Sequence, residues 1–239
     1  ALVIASACVV NNYIDRHIDQ VMERTKKRAL ATGSISAASA FVYAGILGIT
    51  GFAVLALWVN WLTVLVGAVG FIDYVVLYGW SKRRTWHGTL VGSISGSAPV
   101  VAGYTAAVDR FDAGALILFL ILTFWQMPHF YAIALRRLKD YQSARLPVLP
   151  AVHGADATKR QMMFYMVLFL AAVIALWAFG YAGTAYVVIM GLLAVGWIVR
   201  GFQGFRTPNT SRWATKVFLY SLILLPAFLL AVMVDAWVF

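Results

Sequence analysis

Eighteen of the 19 lysines and arginines in this chain fall in four windows, residues 16–28, 82–84, 136–160 and 200–216, and only Arg110 lies outside them. Between the windows the sequence is apolar over stretches long enough to cross a hydrocarbon core, which takes roughly 20 residues per helix. Spans are expected near 1–15, 36–57, 60–80, 90–108, 113–135, 162–180, 183–200 and 216–238. Every second connection (58–59, 109–112, 181–182) is then short and almost free of cations. Basic connections stay in the cytoplasm. In a bacterial inner membrane the four cationic windows, and the acids beside them, are therefore expected on the cytoplasmic face. The fold class implied is all-α, a polytopic transmembrane helical bundle. Lipid tolerates only helices or closed barrels, and these segments lack the period-two alternation of a barrel strand.

Composition narrows the partners. At 62% hydrophobic and 12% charged, the chain falls far below the roughly 25% charge of a soluble domain. Its net charge of +10 would suggest nucleic acid in a soluble protein. Here topology and anionic membrane lipid account for it, and no nucleic-acid partner is expected. The single Cys8 lies in an apolar run, reads as a small packed hydrophobe, and offers no disulfide framework. No initiator Met or basic stretch precedes the opening Ala1–Val10 run, so a secretory signal fits poorly. The chain is expected to start inside a transmembrane helix, with a segment upstream missing. No repeat or low-complexity tract divides it, and residues 1–239 are expected to form one domain.

Asn11, Asp15, Asp19 and Glu23 recur every four residues. On a helix each is displaced only about 40° around the axis and about 6 Å along it from the last, so they form one ridge. Two carboxylates and an amide oxygen at the mouth of a span suit Mg²⁺, which completes its shell with water and phosphate oxygens. Arg24, Lys26, Lys27 and Arg28 follow closely and can neutralise a diphosphate. The alternative is a solvated helix end with intrahelical pairs such as Glu23 with Lys27. Charges this close to hydrocarbon are costly and usually have partners, which favours the metal-binding reading.

The Asn11-x-x-x-Asp15-x-x-x-Asp19 segment, with Glu23-Arg24-Thr25 and Arg28-Ala29-Leu30 behind it, resembles the first signature of the UbiA-type intramembrane prenyltransferases. Trp125-Gln126-Met127-Pro128-His129-Phe130-Tyr131-Ala132, Lys139-Asp140-Tyr141 and Leu146–Pro150 resemble the heme-farnesylating branch of that family. The likeness runs over essentially the whole chain, including Lys82-Arg83-Arg84 and the small-residue run Gly92–Pro99. Nine helices are usual in the family, so the resemblance implies that the eight spans seen here lack the first. It also implies transfer of a farnesyl group from farnesyl diphosphate to a vinyl side chain of heme b, with Mg²⁺ as cofactor. Asn11, Asp15 and Asp19 would be the catalytic and metal-binding residues, with Asp140 a further ligand. Arg24, Arg28, Lys82 and Arg83 would hold the diphosphate; His129, Arg136 and Arg137 would meet heme. Other heme-synthesis or oxidase-assembly proteins would be the associated partners.

Two positions depart from the family pattern. Arg136 stands where a second Asp-x-x-x-Asp motif would place its first carboxylate, which leaves Asp140 alone there and puts a second metal in doubt; Arg136 or Arg137 can instead meet a heme propionate. Ala29 stands where proline is usual. Among the histidines, His129 is the expected heme contact, through an imidazole suited to iron, with His87 in reserve; His17, off the ridge, and His153, in a loop, are expected to be bystanders. Trp125 and Tyr131 are the aromatics expected near substrate. Asp73 is expected to be a structural acid hydrogen-bonded to a neighbouring helix, and Asp235 to lie at the interface. A quinone-precursor prenyltransferase would keep the acid ridge without retaining heme. A transporter would place its ionisable groups near the bilayer midplane.

Overall fold

The computed structural model describes residues 1–238, with side chains described through Asp235. The helices are α1 (Leu2–Val21), α2 (Ala29–Thr32), α3 (Ala37–Trp58), α4 (Trp61–Ile72), α5 (Gly79–Arg84), α6 (Gly88–Val108), α7 (Ala113–Arg136), α8 (Leu138–Ser143), α9 (Leu149–Ala178), α10 (Thr184–Phe202) and α11 (Thr210–Val238). A π-helical segment, Asp73–Tyr78, joins α4 to α5, and no strand occurs among the described residues. Each expected span coincides with a helix.

Six of the described helical runs are long and apolar enough to cross a membrane: Ala37–Trp58, Trp61–Arg84, Ala113–Arg136, Leu149–Ala178, Thr184–Phe205 and Thr210–Asp235. The sequence reading expects eight. α1 falls outside this set because it carries the acid ridge, and α6 because its glycines, serines and threonines dilute its apolar character. The expected bounds also shift. α1 runs on to Val21, α11 starts at Thr210, and a helical run starts at Leu149 rather than near 162, breaking at Gly154, whose φ of 78° suits a residue without Cβ. His153 is consequently helical, not in a loop.

The described chain forms two compact units, residues 1–110 with 138–151, and residues 111–137 with 152–238. In the first, α1 lies close against α3: Ser6 Oγ donates to Ala44 O at 2.7 Å, and a Cβ on Gly51 would come within 2.8 Å of the Val3 backbone nitrogen. α4 and α6 are tied at one end by Thr63 and Thr105, whose hydroxyls are 3.1 Å apart, and by Asn60 Nδ2 to Thr105 O at 2.9 Å. Small residues and short polar side chains are what hold helices together in lipid, where burial between helices gains little over burial in acyl chains. In the second unit, indoles and a phenol bond carbonyls across α10 and α11: Trp197 Nε1 to Val217 O at 3.2 Å, Trp213 Nε1 to Arg200 O at 2.8 Å, Tyr220 Oη to Leu193 O at 3.0 Å.

Candidate active site

The last turns of α1 carry the acid ridge inward, with Asn11, Asp15 and Asp19 only 5%, 8% and 4% exposed. The helix stops at Val21 because Met22 turns extended, with ψ at 125°. Glu23 is thereby thrown off the ridge. It is exposed and pairs with Lys26 at 2.7 Å, not with Lys27. The chain then doubles back, fixed by the buried Thr25, and Arg28 Nη1 reaches both carboxylate oxygens of Asp19 at 2.9 and 3.2 Å.

Two further cations arrive from α5. Lys82 Nζ donates to Asn11 Oδ1 at 2.9 Å and forms an ion pair with Asp15 Oδ2. Arg83 Nη2 bonds Asp15 Oδ1 at 2.9 Å and the Ile14 carbonyl at 2.8 Å. Gly88 makes the approach possible, since a Cβ there would lie 2.7 Å from Lys82 Cα. Beneath the ammonium lies the ring of Tyr78, 4.7 Å from Nζ, itself stacked on Tyr74 at 5.6 Å. The Lys82 and Asp15 side chains are 13% and 11% exposed, and breaking such a buried pair from one side costs about 3–5 kcal/mol. With Arg28, Lys82 and Arg83 against Asp15 and Asp19, the cluster keeps one net positive charge. Arg24, expected beside them, is exposed.

α8 brings Asp140 to the same end of this unit. Its Oδ1 accepts from the Glu23 backbone N–H at 2.7 Å, which pins the turn after α1, while its Oδ2 is buried without a hydrogen-bond partner. The donor set fits a hard cation. All its donors are oxygens, an ammonium already sits between two of them, and one buried carboxylate oxygen is unused. Among the described residues no three His, Cys, Asp or Glu side chains converge as a ready-made cage. Mg²⁺ does not require one, because it takes one or two carboxylates and keeps waters and phosphate oxygens.

In the second unit His129 is 8% exposed on α7. Its ring stacks on Trp125 at 4.8 Å, lies 5.0 Å from Phe218 and meets Phe130 edge-on at 5.1 Å. Its Nδ1 is 2.8 Å from Ser221 Oγ on α11, and Trp125 Nε1 donates to Ser221 O at 2.9 Å. Arg136 lies over the opposite partner, Phe218, with 4.8 Å from Cζ to the ring centroid, while Arg137 is exposed. Tyr131 is buried, 6.5 Å from the Tyr165 ring.

The remaining candidates fall into place as structure. Asp73 is buried where the π-helical segment begins and accepts from the Ser95 N–H at 3.0 Å, in a stretch of α6 already loosened by Pro99. Asp235, 6% exposed, caps the N-terminus of α10 through Gly183 N and, at 3.4 Å, Tyr186 N. His87 is exposed with its ring 3.6 Å from that of Trp86, and His17 is exposed. Sequence reasoning missed Tyr78, Phe218 and Ser221. Tyr78 stands four residues before Lys82, a spacing that places a ring under a cation on a helix; Ser221 is a hydroxyl in the otherwise apolar run 217–225, and Phe218 carried no signal.

Buried acids neutralised by cations, within one helical unit, form an arrangement suited to an anionic group. The chain belongs to the UbiA prenyltransferase family, which it matches over residues 1–223, and it is thus an intramembrane prenyltransferase. It is 45% identical over 236 residues to the protoheme IX farnesyltransferase of Yersinia pseudotuberculosis serotype O:1b (strain IP 31758), an alignment covering 98% of this chain and 80% of that protein. Among solved structures it resembles digeranylgeranylglyceryl phosphate synthase, with a TM-score of 0.79 and 22% identity over 98% of this chain and 82% of that one. A UbiA homologue from Archaeoglobus fulgidus bound to GPP and Mg²⁺ gives a TM-score of 0.67 and 14% identity over 97% and 84%. These structural likenesses show the fold.

Proposed function

We propose that the chain transfers the farnesyl group of farnesyl diphosphate to a vinyl group of heme b, yielding heme O. The observation that carries this reading is the 45% identity over nearly the whole chain to a protoheme IX farnesyltransferase. Asn11, Asp15 and Asp19, with Asp140 beside them, would hold Mg²⁺; the Archaeoglobus fulgidus homologue bound to GPP and Mg²⁺ supports that choice of metal. Bound there, the ion would supply Lewis-acid stabilisation of charge on the departing diphosphate. Arg28, Lys82 and Arg83 stand on the acids and turn to the diphosphate oxygens when it arrives, guanidinium groups being suited to bidentate phosphate contacts. Arg24, exposed in the same turn, adds a cation at the entrance.

The reaction breaks the bond between the allylic carbon and the diphosphate oxygen and joins that carbon to the terminal vinyl carbon. The cation left on the inner vinyl carbon takes the oxygen of water, which releases a proton. Until that step water must be kept away, and helices buried in lipid serve that need. His129 and Arg136 share a face of α7, seven residues apart and therefore about 10 Å along the axis, and both lie against Phe218. This supports an acceptor carrying a central metal and a peripheral carboxylate, with the exposed Arg137 available to a second carboxylate. The protein is an integral membrane protein; the inner membrane, with the acid ridge facing the cytoplasm, is the location this reading assigns. Expressing the chain in a bacterium deleted for its own heme-farnesylating enzyme, and extracting the hemes, tests the proposal. Heme O should appear with the intact chain and be absent with Asp15→Asn.

A further inference from the structure

Ser221 has one hydroxyl proton and two polar neighbours. Its Oγ is 2.6 Å from the Phe218 carbonyl oxygen and 2.8 Å from Nδ1 of His129. A carbonyl oxygen only accepts, and two oxygens at that separation repel unless a proton lies between them, so the hydroxyl donates to Phe218. What Oγ turns towards His129 is then a lone pair, and the 2.8 Å contact is a hydrogen bond only if Nδ1 carries a proton. Among the described residues no carboxylate touches the ring, which is enclosed by Trp125, Phe130 and Phe218, and a charged imidazole would be costly there. The neutral ring has a single N–H. Nε2 therefore bears the lone pair, and among the described residues nothing hydrogen-bonds to it.

The ring is also held in place. Trp125 stacks on it with the planes 24° apart, and the Trp125 indole is anchored to the carbonyl of the same Ser221 at 2.9 Å. Residues 125 and 129, one turn apart on α7, thus grip a single residue of α11 by its carbonyl and its hydroxyl. We infer that Ser221 is a positioning residue, which keeps the His129 proton on Nδ1 so that Nε2 presents its lone pair to the iron of heme b. The iron rests on the proposed heme farnesyl transfer; the tautomer rests on the hydrogen bonds alone. A partner on the far nitrogen that fixes tautomer and orientation is the usual condition of a ligating histidine.

The two parts are separable by experiment. ¹⁵N-histidine NMR of the purified full chain without heme should show His129 with a protonated Nδ1 and a pyridine-type Nε2. Ser221→Ala should give a tautomer mixture, while Ser221→Thr, which keeps the hydroxyl, should restore the single form. In heme b titrations Ser221→Ala should raise Kd about tenfold and move the Soret band, with Ser221→Thr near wild type. The KM for farnesyl diphosphate should not change. A proton on Nε2 in the wild type, or a Ser221→Ala variant with unchanged tautomer and heme Kd, overturns the positioning role. If the NMR result is as expected but His129→Ala leaves the heme spectrum and Kd untouched, the iron assignment is overturned and the heme reading loses its support from this helix.

Discussion

Asp15 and Asp19 occupy equivalent positions one turn apart, yet they lean on cations of different exposure. Asp15 faces Lys82, a side chain 13% exposed, whereas Asp19 is met by Arg28 at 36%. Replacing either acid by asparagine removes a metal-binding and charge-stabilising group, and each change should lower turnover more than about 100-fold. The effects on stability should differ. Asp15→Asn strands a buried ammonium and should cost about 3 kcal/mol, while in Asp19→Asn water can solvate Arg28 and the cost should stay under about 1 kcal/mol. Thermal unfolding in detergent distinguishes them, and equal shifts would contradict the pairing described. The ridge itself was legible because four-residue spacing on a helix is a local rule. Its neutralisation was not, since Lys82 lies 67 residues from Asp15 and no local spacing announces the partner. Likewise His129 stood out as an imidazole in an apolar helix, but Ser221, 92 residues further on, could be linked to it only by the fold.

Between elements, glycines set how closely helices approach, and this is where the acid site depends on packing outside it. A methyl on Gly88 would meet the Lys82 backbone at 2.7 Å, and neither α5 nor the turn before α6 can yield at a flexible side-chain end. Gly88→Ala should push Lys82 away from Asn11 and Asp15, lowering kcat/KM about tenfold or more together with the unfolding temperature. Gly103→Ala, with nothing within 4 Å of its added Cβ, is the control that should change neither. Asp235 is a different case, an acid expected at the interface whose carboxylate caps α10. Asp235→Ala should lower stability by about 1 kcal/mol and leave both substrate KM values unchanged; a selective rise in either KM would contradict a purely capping role. Hydropathy located every long helix but not every end. The start at Leu149 was hidden because residues 149–161 mix proline, histidine and charge, and α1 outran its apolar stretch because its last turns are stabilised by ion pairs that composition does not reveal.

For the molecule as a whole, the cation asymmetry was the most readable property. Short turns at 109–112 and 179–183 do separate the helices where the cation-poor connections were expected. In a Cys8→Ala background, single cysteines replacing Lys26, Arg84, Arg160 and Arg212, all exposed, should be labelled only from the cytoplasmic side, and one replacing Asp109 only from outside. Any of the four reacting from outside would overturn the orientation. Membership of the prenyltransferase family rests on nearly the full chain, and the acceptor is the claim most open to a direct test. Purified protein in detergent with heme b, farnesyl diphosphate and Mg²⁺ should convert heme b to a species heavier by one farnesyl group and one hydroxyl, identified by mass spectrometry; EDTA should abolish the conversion and added Mg²⁺ restore it. Recovery of unmodified heme b alongside prenylation of an aromatic quinone precursor under the same conditions would contradict the account.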